Sequence, residues 1–422
     1  MKSTELKKRL AASKIELLSV YSDAKAAALR IISAIEEFEK IWGEERDISV
    51  FSTPGRCEII GNHTDHNGGL AIACAVDRDI IAIAAKNAVE KVRVYSCGYG
   101  ECSVDIRNLP TPDGVEKHTG EAFVAGVMSA FLNEGLPCGG FDVYIESEIT
   151  EGVGLSSSAA FEVTVANVNN HLYCDGAVGS VTLAKLSQYA ENVYFGKPSG
   201  LMDQLSCTLG GFVRIDFENP SEPKIKKIRL PLSESGYELC LVNTGTSHAE
   251  LNADYKAVSE EMQEVSRIFG RERLRGLGMD GIISKISEVR EKLGDRAVMR
   301  AFHFIKENER VCRAAAALDS ADYAELFSQI KESGRSSFEY LQNVYSPGNP
   351  KVQGLALALM LTEEFGKASA YRLHGGGFGG TVIAFIKDAY AEEYSRFMES
   401  VFGEGSVARL SVREVGACLL AE

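Results

Sequence analysis

The segment EGVGLSSSAAFEVTVANVNNHLY joins a candidate strand to a helix and sets Ser156, Ser157 and Ser158 where that helix begins. Gly152 and Gly154 permit tight or left-handed turns ahead of it. The free N–H groups and the positive dipole end of a helix start favour an anion. Three hydroxyls add donors, and one could also ligate Mg²⁺. No lysine lies in the loop, so this is not the GxxxxGK[ST] phosphate loop. A serine N-cap after a glycine turn is the plain alternative for G-x-G alone. The three consecutive serines, two alanines and helix favour phosphate binding.

A second cluster, PGRCEIIGNHTDHNGG, packs Arg56, Asn62, His63, Thr64, Asp65, His66 and Asn67 into a loop flanked by Gly61 and Gly68–Gly69. Donors and acceptors this dense suit a polyhydroxylated ligand, each of whose hydroxyls needs a partner. A solvated turn and a His/Asp metal site are the other readings, and residue types alone leave all three open. A nucleophilic triad lacks its GxSxG elbow. A third segment, AENVYFGKPSGLMDQLSCTLGG, places Glu191 in a helix and Asp203 among Leu201, Met202 and Leu205. A carboxylate in that apolar setting needs a cation such as Arg56, unless it only caps the following helix.

GLGMDG (276–281) and GGGFGG (375–380) both spell GxGxxG without the strand–turn–helix context of a dinucleotide site. The first reads as a helix stop and restart. The second implies close approach of two backbones or contact with a ligand.

The elements that must position these residues are mixed. Residues 1–47 read as helix, a hairpin packed on the body or an oligomer contact. DIIAIAAK, KVRVYS, FDVYIESEI, FVRIDF, ELCLVNTG and TVIAFI read as strands. Helices are predicted at 121–135, 156–173, 181–196, 249–270, 281–294, 300–317, 321–334, 351–366 and 388–402. Without regular βαβα alternation, this is an α+β, two-lobe architecture, with a boundary near Asp216–Glu222 in the polar stretch FENPSEPK.

A chain of 422 residues with 45% hydrophobic and 25% charged residues suits a globular protein of two domains or lobes. The net charge of −14 argues against a nucleic-acid binder. The ten cysteines form no CxxC pair and read as free thiols in a reducing compartment. No apolar leader and no run of about 20 apolar residues is visible, so a cytoplasmic protein that binds no membrane is expected.

Together these segments resemble the galactokinase branch of the small-molecule (GHMP) kinase superfamily, which includes homoserine, mevalonate and phosphomevalonate kinases. PGRCEIIGNHTDHNGG looks like its first signature and EGVGLSSSAAFEV like its phosphate loop. AENVYFGKPSGLMDQLSCTLG is similar to its segment with a metal-binding Glu and a catalytic Asp. RLHGGGFGGTVIAF looks like its C-terminal glycine motif. The four occur in the family's order. The resemblance implies a GHMP-kinase-like fold with the active site in the cleft between lobes. Its segments would be an N-terminal helical extension (1–48), an N-terminal lobe with the phosphate loop (49–217) and a C-terminal lobe (218–422). The activity implied is an ATP-dependent sugar 1-kinase of galactokinase type, with Mg²⁺ as cofactor and ATP as co-substrate.

Carried over residue by residue, Asp203 would accept the proton of the sugar O1. Arg56 would steady Asp203 and the transferring phosphoryl group. Asn62, His63, Thr64, Asp65, Gly200 and Tyr255 would line the sugar pocket. Gly152, Val153, Gly154, Leu155, Ser156, Ser157 and Ser158, with Ser96, would contact the nucleotide. Ser158 and Glu191 would hold the metal. A monomer or homodimer is expected, with a small sugar and ATP as its partners.

The family signature Gly-Glu-His-Thr-Asp-Tyr here reads Gly61-Asn62-His63-Thr64-Asp65-His66, and Cys57-Glu58 replaces Val-Asn. Ser199 stands for a frequent Cys, and ADYKAV lacks the Pro and Arg that usually follow Tyr255. The Asp65-His66 pair also resembles plant-type galacturonate kinases. A kinase for galacturonate, a hexosamine or arabinose is therefore a second reading. A non-catalytic regulator that binds sugar and ATP is a third.

Overall fold

Residues 49–60, whose second half reads as loop in the sequence, form one strand, β1 (Ser49–Ile60), buried along its length. The computed structural model describes residues 1–96, 100–149, 154–197, 199–228, 232, 235–245 and 252–422. β1 pairs antiparallel with β2 (Leu70–Lys86), and the register slips at Pro54/Arg56 and again at Glu58/Ile60. Such bulges bend a strand and re-aim its side chains. Here the first bulge falls on Arg56.

β3 (Lys91–Ser96) and β4 (Gly100–Asp105) form a hairpin beside β5 (Phe141–Ser147), which pairs with β2. β6 (Phe212–Asp216) also pairs with β2, and β7 (Lys224–Ile228) adds outside β6. The polar, proline-bearing stretch after Asp216 is thus the turn of a hairpin in this sheet. β8 (Tyr237–Asn243), β9 (Ala368–His374), β10 (Thr381–Lys387) and β11 (Val407–Leu410) make a separate sheet in the order β11-β8-β10-β9. β12 (Cys418–Ala421) returns to pair with β1 and completes the larger, eight-stranded sheet.

The period-2 alternation of β2 decides which helices cover which face. Ile81, Ile83 and Ala85 pack under α1 (Ser3–Ala11) and α2 (Ala24–Trp42), whose Ala27, Ile31, Ala34, Ile35 and Phe38 form one buried stripe. The N-terminal residues are therefore a helical hairpin packed on the sheet. Asp23 caps α2 by accepting from the Lys25 and Ala26 N–H groups. Burying each of Ile31, Ile35 and Phe38 contributes about 1.5–3 kcal/mol. Ile72, Cys74, Ala82 and Ala84 face the other way, onto α3 (Gly120–Asn133) and α4 (Ser157–Cys174).

α5 (Ser180–Tyr189) continues into a π-helical turn, Ala190–Phe195, and α6 (Met202–Leu209) follows. α7 (Asn252–Ile268), α8 (Met279–Ser284), α9 (Ile286–Leu293) and the long α10 (Asp295–Ser320) share a core of their own. The single helix expected at 281–294 breaks at Lys285 into α8 and α9. α11 (Tyr323–Ser336) covers one face of the smaller sheet, and α12 (Gly354–Phe365) and α13 (Asp388–Phe402) cover the other. The described cysteines are free; Cys57, Cys74, Cys207 and Cys240 are buried and Cys312 is exposed. Among the described residues no helix is long and apolar enough to cross a membrane.

Candidate functional site

The β1 bulge brings Arg56 to the start of α4. The Arg56 N–H donates to Leu155 O at 3.1 Å, which ties the strand to the serine loop. Gly55 beside it lets the two backbones pack closely, since a Cβ there would stand 3.0 Å from the same carbonyl. The Arg56 guanidinium is bidentate on Asp203, Nε to Oδ1 at 2.6 Å and Nη2 to Oδ2 at 2.8 Å, and Nη1 donates to Gly154 O at 2.7 Å. Asp203 stands in the first turn of α6, yet its carboxylate turns to Arg56 and not to the helix N–H groups.

Ser156 precedes α4 in left-handed backbone, φ 59°, and its hydroxyl makes no cap bond. It donates instead to Asp203 Oδ2 at 2.6 Å. Burial raises the Asp203 pKa, but the Arg56 charge and hydrogen bonds, Ser156 and Lys197 outweigh it and hold the carboxyl at about 2. Such a group is ionised at neutral pH, oriented by three donors, and weakly basic.

In the first turn of α4, the Ser158 hydroxyl donates to Glu191 Oε1 at 3.0 Å. Glu191 is only 1% exposed. Its other oxygen accepts from Ser199 Oγ at 2.5 Å and Gln204 Nε2 at 2.9 Å. The site therefore offers a fixed carboxylate and a hydroxyl together. That donor set suits Mg²⁺ arriving on nucleotide phosphates, since Mg²⁺ usually takes one or two carboxylates and fills its octahedron with phosphate and water. Among the described residues no group of three or more His, Cys, Asp or Glu forms a cage by itself.

The loop after β1 is held from across the molecule. Asn62 is buried, and each of its polar groups is occupied. Its N–H and that of Gly61 approach Glu307 Oε1 at 3.4 and 3.0 Å, and its carbonyl accepts from His303 Nε2 at 3.0 Å. Its Nδ2 donates to Glu58 Oε1 at 3.1 Å and to Gly375 O at 2.7 Å, and its Oδ1 accepts from Asn343 Nδ2 at 2.7 Å. Glu58 in turn accepts from the buried Arg372 at 2.9 Å. The Thr64 hydroxyl closes the turn onto Gly61 O and Leu70 O. Asn62 and Thr64 thus build the loop's shape.

His63 Nε2 lies 2.8 Å from Gly376 O, which can only accept, so Nε2 carries the proton. His63 Nδ1 then accepts from His66 Nε2 at 3.4 Å, and His66 Nδ1 accepts from Asn67 Nδ2 at 2.9 Å. The chain requires two neutral rings. Burial pushes both down, His63 to about 3 and His66 to about 4, with each other's charge adding at His63. The Asp65 carboxylate accepts from the His66 N–H at 2.9 Å and abuts Gly200, where any Cβ would collide with Oδ2.

Tyr255, on α7, sets its ring edge-on to His63 at 5.3 Å and against Gly376, and remains 49% exposed. The GGGFGG segment is the β9–β10 turn. Gly376 admits Tyr255, and Gly377, with φ 85°, admits the Asn343 carbonyl. Close backbone approach is therefore its observed role. His374 and Thr381 from the same hairpin flank Gly154; a Cβ there would stand 2.9 and 2.6 Å from them.

Arg56, Gly154, Ser156, Ser158, Glu191, Gly200 and Asp203 are thus joined around one point, with Asp65, His63 and Tyr255 along its side. Leu155 is buried beneath the serines. Ser157 also makes contacts of its own. Ser96 ends β3, buried and paired with Ile145 of β5. Gly152 and Val153 lie outside the described residues. The roles of Glu58, Glu307, His303, Asn343 and Arg372 were not read from the sequence. Glu58 and Arg372 lie inside quoted motifs, but nothing local marks Glu307, His303 and Asn343, which act from 241 or more positions along the chain.

A two-sheet α+β body with a serine-rich helix start beside an Arg–Asp pair defines a phosphotransferase of the GHMP kinase class. Residues 122–211 match the family model for the GHMP kinases N terminal domain, and residues 36–86 match the galactokinase galactose-binding signature. The chain is 31% identical over 372 residues to a galactokinase of Streptomyces coelicolor, covering 87% of this chain and 92% of that one. It is 29% identical to a galactokinase of Actinobacillus pleuropneumoniae, covering 86% and 92%. Lactococcus lactis galactokinase complexed with galactose superposes with a TM-score of 0.79 at 22% identity, covering 92% of this chain and 99% of that one. A mevalonate kinase superposes at 0.61 with 14% identity, covering 86% and 99%. The chain belongs to the galactokinase family.

Proposed function

We propose that this protein transfers the terminal phosphoryl group of ATP to O1 of galactose, giving galactose 1-phosphate and ADP. The observation that carries the reading is the Arg56–Asp203 pair, locked by Ser156 at the mouth of the serine loop. Phosphoryl transfer needs in-line positioning and charge neutralisation more than covalent chemistry. Asp203 would accept a hydrogen bond from O1–H, orient O1 toward the phosphorus, and take the proton as the O1–P bond forms. The bond between the terminal phosphorus and the bridging oxygen breaks, and ADP leaves. With its carboxyl held at about 2, Asp203 takes that proton late, once O1 has become acidic.

Arg56 and the α4 N-terminus supply positive charge around the transferring group. Ser156, Ser157 and the backbone from Gly152 to Leu155 would bind phosphate, and Ser96 would reach the nucleotide. Mg²⁺, held by Ser158 and Glu191, would neutralise phosphate charge when bound. Asp65, His63, Gly200 and Tyr255 line the sugar side, with Asn62 and Thr64 behind them. We place the protein in the cytoplasm as a monomer or homodimer. Its units would be residues 1–48, 49–217 and 218–422, with β7 and β12 returning to the larger sheet.

ADP release with Mg·ATP, measured against galactose, galacturonate, galactosamine, N-acetylgalactosamine, glucose and arabinose, tests the reading. Turnover is expected on galactose. Preferred turnover on another sugar would shift the substrate, a reading favoured by His66 and Asn62 in place of the family's Tyr and Glu. Binding of ATP and sugar without any ADP release would overturn the kinase assignment in favour of a non-catalytic binding protein.

A further inference from the structure

We propose that Lys197 is a second phosphate-contacting cation of this site, parked on Glu191 until the nucleotide and its metal arrive. Lys197 lies in the short turn between the π-helical Ala190–Phe195 segment and α6. Its Nζ stands 2.8 Å from Glu191 Oε1, the same oxygen that accepts from Ser158. The two partners differ sharply in freedom. The Glu191 side chain is 1% exposed, and that of Lys197 is 52% exposed. The carboxylate is fixed and the ammonium can move.

Glu191 also keeps its place without the lysine, because Ser158, Ser199 and Gln204 still donate to it. These three donors are neutral and orient the carboxylate, while Lys197 supplies the opposite charge, a charge that a metal ion on the same oxygen would supply in its place. The inference rests on the reading that Ser158 and Glu191 receive the metal of the nucleotide. On that reading the ammonium and the metal compete for one oxygen, Oε1. Displaced from it, the ammonium remains tethered beside Ser158 and within electrostatic reach of Asp203, whose acidity it already helps maintain. That position borders the terminal phosphate, where the charge of the transferring group is greatest.

The test is calorimetric binding of β,γ-imido ATP and of ADP, each with Mg²⁺ and with EDTA, to the wild type, K197M and K197R. Mn²⁺ titration of the nucleotide-free proteins is read alongside. In K197M the preference for the triphosphate over the diphosphate should fall about tenfold with Mg²⁺ present and change little in EDTA, where the wild-type ammonium stays on Glu191. Mn²⁺ should bind K197M more tightly, since its competitor is gone. K197R should retain the triphosphate preference. An unchanged ATP-to-ADP preference in K197M, or weaker Mn²⁺ binding, overturns the inference while leaving the kinase reading intact. If metal fails to affect nucleotide affinity in the wild type, the Ser158–Glu191 reading falls first and the role of Lys197 with it. K197M leaves the buried Glu191 without its cation and should unfold somewhat below the wild-type temperature, whereas K197R keeps the charge and should match the wild type, so binding is compared at a temperature where all three proteins are folded.

Discussion

Arg56 and Asp203, 147 positions apart, meet as a two-toothed pair with N–O distances of 2.6 and 2.8 Å. The pair spans strand β1 and helix α6, so the cation and the proton acceptor of one proposed step are fixed by two separate elements. D203N keeps the shape but loses the acceptor charge. Turnover should fall by about 10²–10⁴, with ATP affinity retained. Single-turnover kinetics and ATP titration check both halves, and substantial residual turnover would remove Asp203 from the proposed role.

R56K and R56A separate geometry from charge. A lysine keeps the positive charge but cannot bridge both Asp203 oxygens and the Gly154 carbonyl together. R56K should lower kcat more than it raises KM for either substrate. R56A leaves a half-buried carboxylate without its main cation and should cost about 1–3 kcal/mol in urea unfolding. Wild-type stability in R56A would show that the pair contributes little to the fold.

Gly200 and Asp65 touch so closely that no side chain fits between them. G200A should push the Asp65 carboxylate out of place. KM for the sugar should rise at least tenfold, as an order-of-magnitude expectation for one displaced charged hydrogen bond, while KM for ATP stays near the wild-type value. An equal rise in both would mean that Asp65 does not belong to the sugar side.

Asn62 ties the β1 loop to Gly375 and Asn343 and donates to the Glu58 carboxylate. N62D would set a carboxylate about 3 Å from Glu58, inside a network whose buried cations, Arg372 and Arg310, already pair with Glu58 and Glu307. Stability should fall by about 1–3 kcal/mol. The loss should shrink at low pH, where one of the two carboxyls can protonate, and urea unfolding across pH reads both effects.

Three buried histidines and the partly buried His66 set an acid limit. Burial lowers His63 to about 3, His66 and His303 to about 4, and His374 well below its ordinary 6.5. The unfolded chain therefore binds protons at a pH where the folded chain does not. Their contribution is fully present above about 6.5 and is lost as pH falls toward 4, at about 1.4 kcal/mol per pH unit for each ring. Replacing His66 with Gln, which can both donate and accept, should flatten that slope by about one ring's share. An unchanged slope would mean that His66 titrates normally in the folded state.

Sequence and tertiary structure determined different things here. The serine run, the glycines before it and the isolated Asp203 were legible because phosphate cradles and helix starts are local devices. Their chemistry follows from neighbours within a few residues. Most helices and strands were legible for the same reason, through periodicity. β1 was not, because proline and dense polar residues mask a strand that exists by virtue of its burial between β2 and β12. The roles within the HTDH cluster were also undecided in the sequence. Donors and acceptors show what a residue can bond, but which bonds are already taken depends on what packs against it. Glu307, His303 and Asn343 occupy Asn62, while Asp65 faces Gly200. Only folding α10, α11 and the β9–β10 turn onto the β1 loop decided which side chains build the site and which were left to line it.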